Sequence, residues 1–144
     1  MKRWITASAV LVALLTVSVY AADVKLDGIK CPLSGKPVKA DKTVDYKGAK
    51  VYFCCENCPK AFDAKKNATK ANLQLVQTGQ AKQEKCPLAG KDVNKDTETD
   101  VSGVKVSFCC NNCKGKVTKA KGDEQLDLVF GESAFEKGFK VTKK

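Results

Sequence analysis

The stretch Tyr46-Lys47-Gly48-Ala49-Lys50-Val51-Tyr52-Phe53-Cys54-Cys55-Glu56-Asn57-Cys58 decides how this chain folds. Apolar and polar residues alternate on both sides of Lys47-Gly48, the pattern of a β-hairpin whose turn is at the glycine. The second run leads straight into three cysteines, and Glu56 to Lys70 then reads as a helix rich in Ala and Lys, with Phe62 facing inward. Cys54 is therefore expected at a strand end and Cys58 in a first helical turn. There, exposed N–H groups and the positive dipole end favour thiolate over thiol.

The arrangement occurs twice. Val101 to Cys113 repeats the hairpin, with Gly103 at its turn, and Asn111 to Lys121 repeats the helix, with Val117 inward. Each copy is preceded by a Cys-Pro-Leu-x-Gly-Lys turn containing Cys31 or Cys86. All eight cysteines lie in these two copies: Cys31, Cys54, Cys55 and Cys58 recur 55 residues later as Cys86, Cys109, Cys110 and Cys113. Across residues 31–58, 16 of 28 positions are identical in the second copy, while the polar positions between them have drifted. The thiols are the unit of duplication. Turn, strand end and helix start are remote in sequence, yet in each copy they can converge on one point.

Working outward, Ala71 to Thr78 extends the helix or forms another, and Gln80 to Lys85 reads as a strand feeding the second cysteine turn. Val24 to Lys30 is its expected counterpart before Cys31, and Glu136 to Val141 repeats it at the chain end. The 55-residue period divides the chain into units at 22–80 and 81–144. Units of about 60 residues bury a limited apolar fraction and usually lean on a metal or disulfides.

Residues 1–21 read as a signal peptide. Lys2 and Arg3 precede an apolar run from Ile5 to Val19, and Val19-Tyr20-Ala21 forms a cleavage site. The run is interrupted by Thr6, Ser8, Thr16 and Ser18 and falls short of the ~20 residues a membrane span needs. The expectation is an exported protein, periplasmic or extracellular, with no stable membrane anchor. Cleavage after Ala21 removes the only Met, the only Trp and the only Arg, and His is absent throughout. Histidine-based hydrolytic triads, c-type haem sites and His- or Met-rich copper sites are excluded by composition. The remaining 24 Lys against 16 acidic residues are spread through both halves. Lysine lacks the bidentate guanidinium contact that reads guanine, so the basic balance reads as a solvated surface, with no nucleic-acid partner.

The spacing resembles the YHS and TRASH families of small cysteine-rich metal domains. The first copy matches their pattern at Cys31, Tyr46, Gly48, Val51, Phe53, Cys54, Cys58 and Phe62, and the second at Cys86, Val101, Gly103, Val106, Phe108, Cys109, Cys113 and Val117. The resemblance implies an α+β fold of two tandem zinc-finger-like units, each a knuckle, β-hairpin and helix, with a heavy-metal binding or sensing role. Two departures matter. The second knuckle cysteine of the four-cysteine TRASH pattern is replaced by Ser34 and Ala89, and each copy has an additional thiol, Cys55 or Cys110.

The functional expectation is a non-enzymatic metal-binding protein. Its metal ligands are Cys31, Cys54, Cys55 and Cys58 in one site and Cys86, Cys109, Cys110 and Cys113 in the other. Zn(II) is the first expected cofactor and Cu(I) the second, since thiolates select soft ions. A three-thiolate site with an open position is the alternative coordination. Two other readings stand beside it. Export into an oxidising compartment would pair each set of four cysteines into two disulfides, as a structural or interaction protein without metal. The Cys-x-x-Cys pairs, Cys55/Cys58 and Cys110/Cys113, would suit a thiol–disulfide oxidoreductase, though no βαβ pattern surrounds them.

Overall fold

The computed structural model describes residues 24–142; the expected signal peptide, 1–21, lies outside them. The protein is α+β, with three two-stranded antiparallel sheets and five helices among the described residues. β1 (Lys39–Tyr46) and β2 (Ala49–Phe53) form the first hairpin, with Tyr46 opposite Ala49. β4 (Asn94–Val101) and β5 (Val104–Phe108) form the second, with Val101 opposite Val104. Both turns need two consecutive residues at positive φ, Lys47 (52°) with Gly48 (80°) and Ser102 (53°) with Gly103 (79°). Two-residue turns of this kind match the twist of the strands they join, and the glycine adopts the conformation without a Cβ clash.

The expected single helix from Glu56 to Lys70 is two helices, α1 (Asn57–Ala61) and α2 (Ala68–Gln77). The break has a local cause. Asp63 Oδ1 accepts the backbone N–H groups of Lys65 (2.9 Å) and Lys66 (3.1 Å), and Asn67 Oδ1 accepts that of Asp63 (3.1 Å). Side chains thus offer the backbone an alternative to helical bonding. Phe62 leaves the helix in extended conformation, and its ring meets Tyr46 and Phe53 edge-on, centroids 5.8 and 5.4 Å away. In the second copy α3 (Asn111–Lys119) runs on without a break, burying Val117 completely.

β3 (Ala81–Gln83) confirms the strand expected before Cys86, and its partner is the last strand, β6 (Phe139–Val141), with Lys82 opposite Lys140. Between α3 and β6 lie α4 (Asp123–Phe130) and α5 (Glu132–Gly138), so Glu136 to Gly138 is helical where a strand was expected. The expected strand over Val24–Lys30 is also absent. Only Lys30 makes a β-bridge there, to Pro37, as Lys85 does to Asp92. The inner faces of both hairpins (Val51, Phe53, Val106 and Phe108), Leu75 of α2, Val117 of α3, and Val129 and Phe130 of α4 are fully buried in one cluster spanning both copies. Helix α2 packs on α4 and α5. At the same junction Lys47 bonds Glu132 at 2.6 Å, and Tyr46 donates to the same carboxylate at 3.3 Å.

Two-stranded hairpins leave edges whose backbone groups need partners. Glutamine side chains supply them. Buried Gln74 accepts the Tyr52 N–H (2.7 Å) and donates to the carbonyls of Tyr52 (2.9 Å) and Lys30 (3.1 Å). Gln80 does the same for Lys50, at 2.8 Å in both directions. Gln83 accepts the Ser107 N–H (2.9 Å) and donates to the carbonyls of Ser107 (2.6 Å) and Lys85 (3.0 Å). Ser107 and Lys85 are the counterparts of Tyr52 and Lys30. One clamp is therefore built twice, from glutamines at non-equivalent positions. It ties the residue before each knuckle cysteine to the strand that delivers the next one.

Replacing Gln74 by Leu orphans a buried N–H and two carbonyls, so Gln74→Leu should lower the unfolding free energy by about 2–3 kcal/mol. The half-buried clamp at Gln83 leaves its partners closer to water, and Gln83→Leu should lower it by about 1 kcal/mol. Urea unfolding of the two variants against wild type checks both values and their order.

Candidate metal centre

Each knuckle is a tight backbone loop. The Cys31 N–H donates to the Lys36 carbonyl (2.8 Å) and the Gly35 N–H to the Cys31 carbonyl (2.9 Å); Cys86, Lys91 and Gly90 repeat these bonds at 2.8 and 2.7 Å. Gly35 (φ 69°) and Gly90 (φ 65°) occupy the left-handed region that lets the loop close. The turned backbone aims the N–H groups of Leu33 and Ser34, together with that of Cys54, at the Cys31 sulfur. Cys86 receives those of Cys109, Ala89 and Leu88.

The second cysteine of each set stands one residue beyond the strand, at the end of Phe53-Cys54 or Phe108-Cys109. Phe53 and Phe108 are fully buried, so the backbone beneath Cys54 and Cys109 is anchored in the core. The third stands in the first turn of α1 or α3. The Sγ atoms of Cys31, Cys54 and Cys58 all lie within 4.8 Å of one another, as do those of Cys86, Cys109 and Cys113. In both sets the strand and helix sulfurs, Cys54–Cys58 and Cys109–Cys113, are 3.7 Å apart. Four thiolates at ~2.3 Å around a tetrahedral zinc have sulfur–sulfur edges of ~3.8 Å, so the donors and their spacing fit such an ion.

The structure brings together three of the four expected ligands in each copy. Cys31 and Cys86 are buried, the strand and helix cysteines half-buried, and Cys55 and Cys110 exposed. Cys55 and Cys110 fall outside the mutual sets yet lie against their edges. Cys55 Sγ is 3.5 Å from Cys58 Sγ, and Cys110 Sγ is 3.8 Å from Cys109 Sγ. All eight cysteines are free thiols.

Neighbouring groups set the sulfurs apart in acidity. Burial pushes the Cys31 thiol up, but the Ser34 hydroxyl and the converging N–H groups outweigh it and bring it down to about 6. Cys86, without such a hydroxyl, is lowered against burial by backbone N–H groups and the Cys109 thiol. Backbone N–H of Cys58, the Cys58 thiol and the N–H of Asn57 hold exposed Cys55 down to about 7, and Cys110 is lowered by the backbone N–H of Cys113 and by the Cys109 and Cys113 thiols. Cys58 is pushed up to about 12 by hydrogen bonding to Cys55 and by burial, and Cys113 to about 12 by burial and its bonds to Cys109 and Cys110. In each triad a favoured thiolate faces a thiol that holds its proton. A bound cation would remove that conflict, because it repays ionisation of all three.

Two participants escaped the sequence reading. Ser34 was legible only as the place of a missing cysteine, yet its Oγ lies 3.1 Å from Cys54 Sγ. The Gln74 clamp left one signal: in α2 it falls beside Ala71 and Leu75 on the buried face, where a glutamine requires a reason.

In metal-free protein, alkylation by iodoacetamide at pH 7 should label exposed Cys55 and Cys110 ahead of Cys58 and Cys113. For Cys55, labelling should rise through a midpoint near pH 7, where the unfolded chain shows the ordinary thiol value near 9. Mass-spectrometric peptide mapping over a pH series checks the order and the midpoint. A scan against protein-family models, a search of curated proteins and a search of solved structures each return no match to this chain.

Proposed function

We propose that this is an exported metal-binding protein holding one soft ion in each copy, Zn(II) first and Cu(I) second, through Cys31, Cys54 and Cys58 and through Cys86, Cys109 and Cys113. One observation carries the reading: in both copies three sulfurs from a turn, a strand end and a helix start meet within 4.8 Å. Bringing three thiols together costs chain entropy and, once they ionise, electrostatic repulsion. A bound cation offsets both. The fourth position falls to Cys55 and Cys110, which lie within 3.8 Å of a triad sulfur and are exposed, as an exchangeable ligand must be. In this reading each copy is a zinc-finger-like unit of the kind the YHS/TRASH resemblance suggests, serving metal trafficking or resistance outside the cytoplasm. No enzymatic step is assigned to it.

A second reading has an observation of its own. Cys55 and Cys58 stand 3.5 Å apart in a Cys-x-x-Cys spacing, and an oxidising compartment could close that pair as a disulfide. Closure would take Cys58 out of the triad, so the two readings exclude each other at that site.

Protein purified without oxygen should contain close to two metal ions per chain. Removing them with a chelator should lower the thermal midpoint by tens of degrees, since a structural thiolate site supplies roughly 10 kcal/mol or more of apparent binding energy. Cys31→Ser with Cys86→Ser should reduce the metal content to near zero. Elemental analysis with a free-thiol count decides the matter. Metal-free protein of unchanged stability would sink the reading, and protein in which half of the thiols resist labelling even after unfolding would favour disulfides.

A further inference from the structure

The two copies share 16 of 28 residues over the candidate metal-binding segment, and one of the differences falls beside the triad. The third residue after the knuckle cysteine is Ser34 in the first copy and Ala89 in the second. Ser34 Oγ lies 3.1 Å from Cys54 Sγ, and the same hydroxyl bonds the Cys31 thiol. It therefore stands between the turn sulfur and the strand sulfur, two ligands from segments remote in the chain. Nothing at Ala89 can do this, because a methyl group neither donates nor accepts.

We infer that Ser34 makes the two sites unequal, so that the first site takes up a thiophilic divalent cation ahead of the second. This rests on the metal-binding reading above and goes beyond it in assigning an order of filling and the residue that sets it. A hydroxyl donating to a thiolate makes a charge-assisted hydrogen bond and disperses part of the sulfur's charge. With its one proton given to the Cys31 sulfur and its oxygen 3.1 Å from the Cys54 sulfur, it holds these ligands together before the ion arrives. Less reorganisation is left for binding to supply. Ser34 is exposed, so the effect should sit at the lower end for a charge-assisted bond, roughly tenfold in affinity. Ser34 acts here as a positioning residue, with no bond to the ion required of it.

The test uses Cd(II) as the probe on the full chain, with cadmium NMR to separate the two sites and competition against a chromogenic chelator to measure affinity. Wild type should give two resonances, one filling first, and two binding steps about tenfold apart. Ser34→Ala should move only the first-filling resonance and bring the two affinities to within about threefold. Ala89→Ser should move only the other resonance and strengthen that step. Both side chains are exposed, and far-UV circular dichroism checks that each variant keeps the fold. Two wild-type sites filling together, or a Ser34→Ala effect spread equally over both, would overturn the inference while leaving the metal-binding reading intact. A failure to bind Cd(II) at all would overturn both.

Discussion

Everything at the candidate centres depends on holding a loop against a strand edge. Cys31 lies in a turn, and Cys54 and Cys58 lie beyond a hairpin more than twenty residues away, so their sulfurs meet only if the turn is pinned beside β2. The pin is the Gln74 amide, which binds both backbone groups of Tyr52 and the carbonyl of Lys30 from a buried position. A primary amide suits this task because it presents a donor and an acceptor side by side, as a neighbouring strand would. With the edge satisfied by a side chain, no third strand is needed, and the knuckle can turn away toward the sulfurs. In the second copy Gln83 makes the same three bonds from the strand that leads into the knuckle.

Much of this arrangement was legible in the residues. The Lys-Gly and Ser-Gly turns, the Phe-Cys strand ends and the helix starts lie where alternation and turn chemistry put them, because each is a local preference with little tertiary competition. The failures fall where a distant partner decided the outcome. Phe62 and Val117 occupy equivalent positions, yet one leaves its helix and the other stays in it. The Phe62 ring is needed between Tyr46 and Phe53, whereas the second copy has Val101 in place of Tyr46 and needs only a smaller side chain there. The segment before Cys31 pairs only through the single bridge of Lys30 to Pro37 among the described residues, while β3 exists by virtue of β6 at the far end of the chain. Helix α5 has no counterpart in the first copy. It places Gly138 so close to the second knuckle that a Cβ there would lie 2.8 Å from Pro87 Cα, and periodicity alone carries no trace of that approach.

At the candidate sites the residue types were legible and their division of labour was not. Eight cysteines in two sets of four suggested four equivalent ligands per site, but burial separates them. The turn cysteine is enclosed, two are half-buried, and the one following the strand faces solvent. Alternation along an extended backbone explains this: adjacent side chains point to opposite sides, so Cys54 and Cys55 cannot both enter the triad without a change in the corner between β2 and α1. The groups that tune the sulfurs were illegible for a different reason. They are backbone N–H groups and one hydroxyl, whose direction depends on loop closure and leaves no mark in composition.

Comparing the copies shows which features the fold requires. The clamp is kept, though its glutamine has moved from a helix to a strand. The knuckle loop, with its left-handed glycine, is kept bond for bond. The triad spacing is kept to the 3.7 Å between its strand and helix sulfurs. The fourth thiol is kept in sequence and lies beside the strand and helix sulfurs in both copies, with Cys55 3.5 Å from Cys58 and Cys110 3.8 Å from Cys109. An exposed sulfur at the rim of a three-sulfur site has one chemistry open to it there, which is to join that site or to leave it.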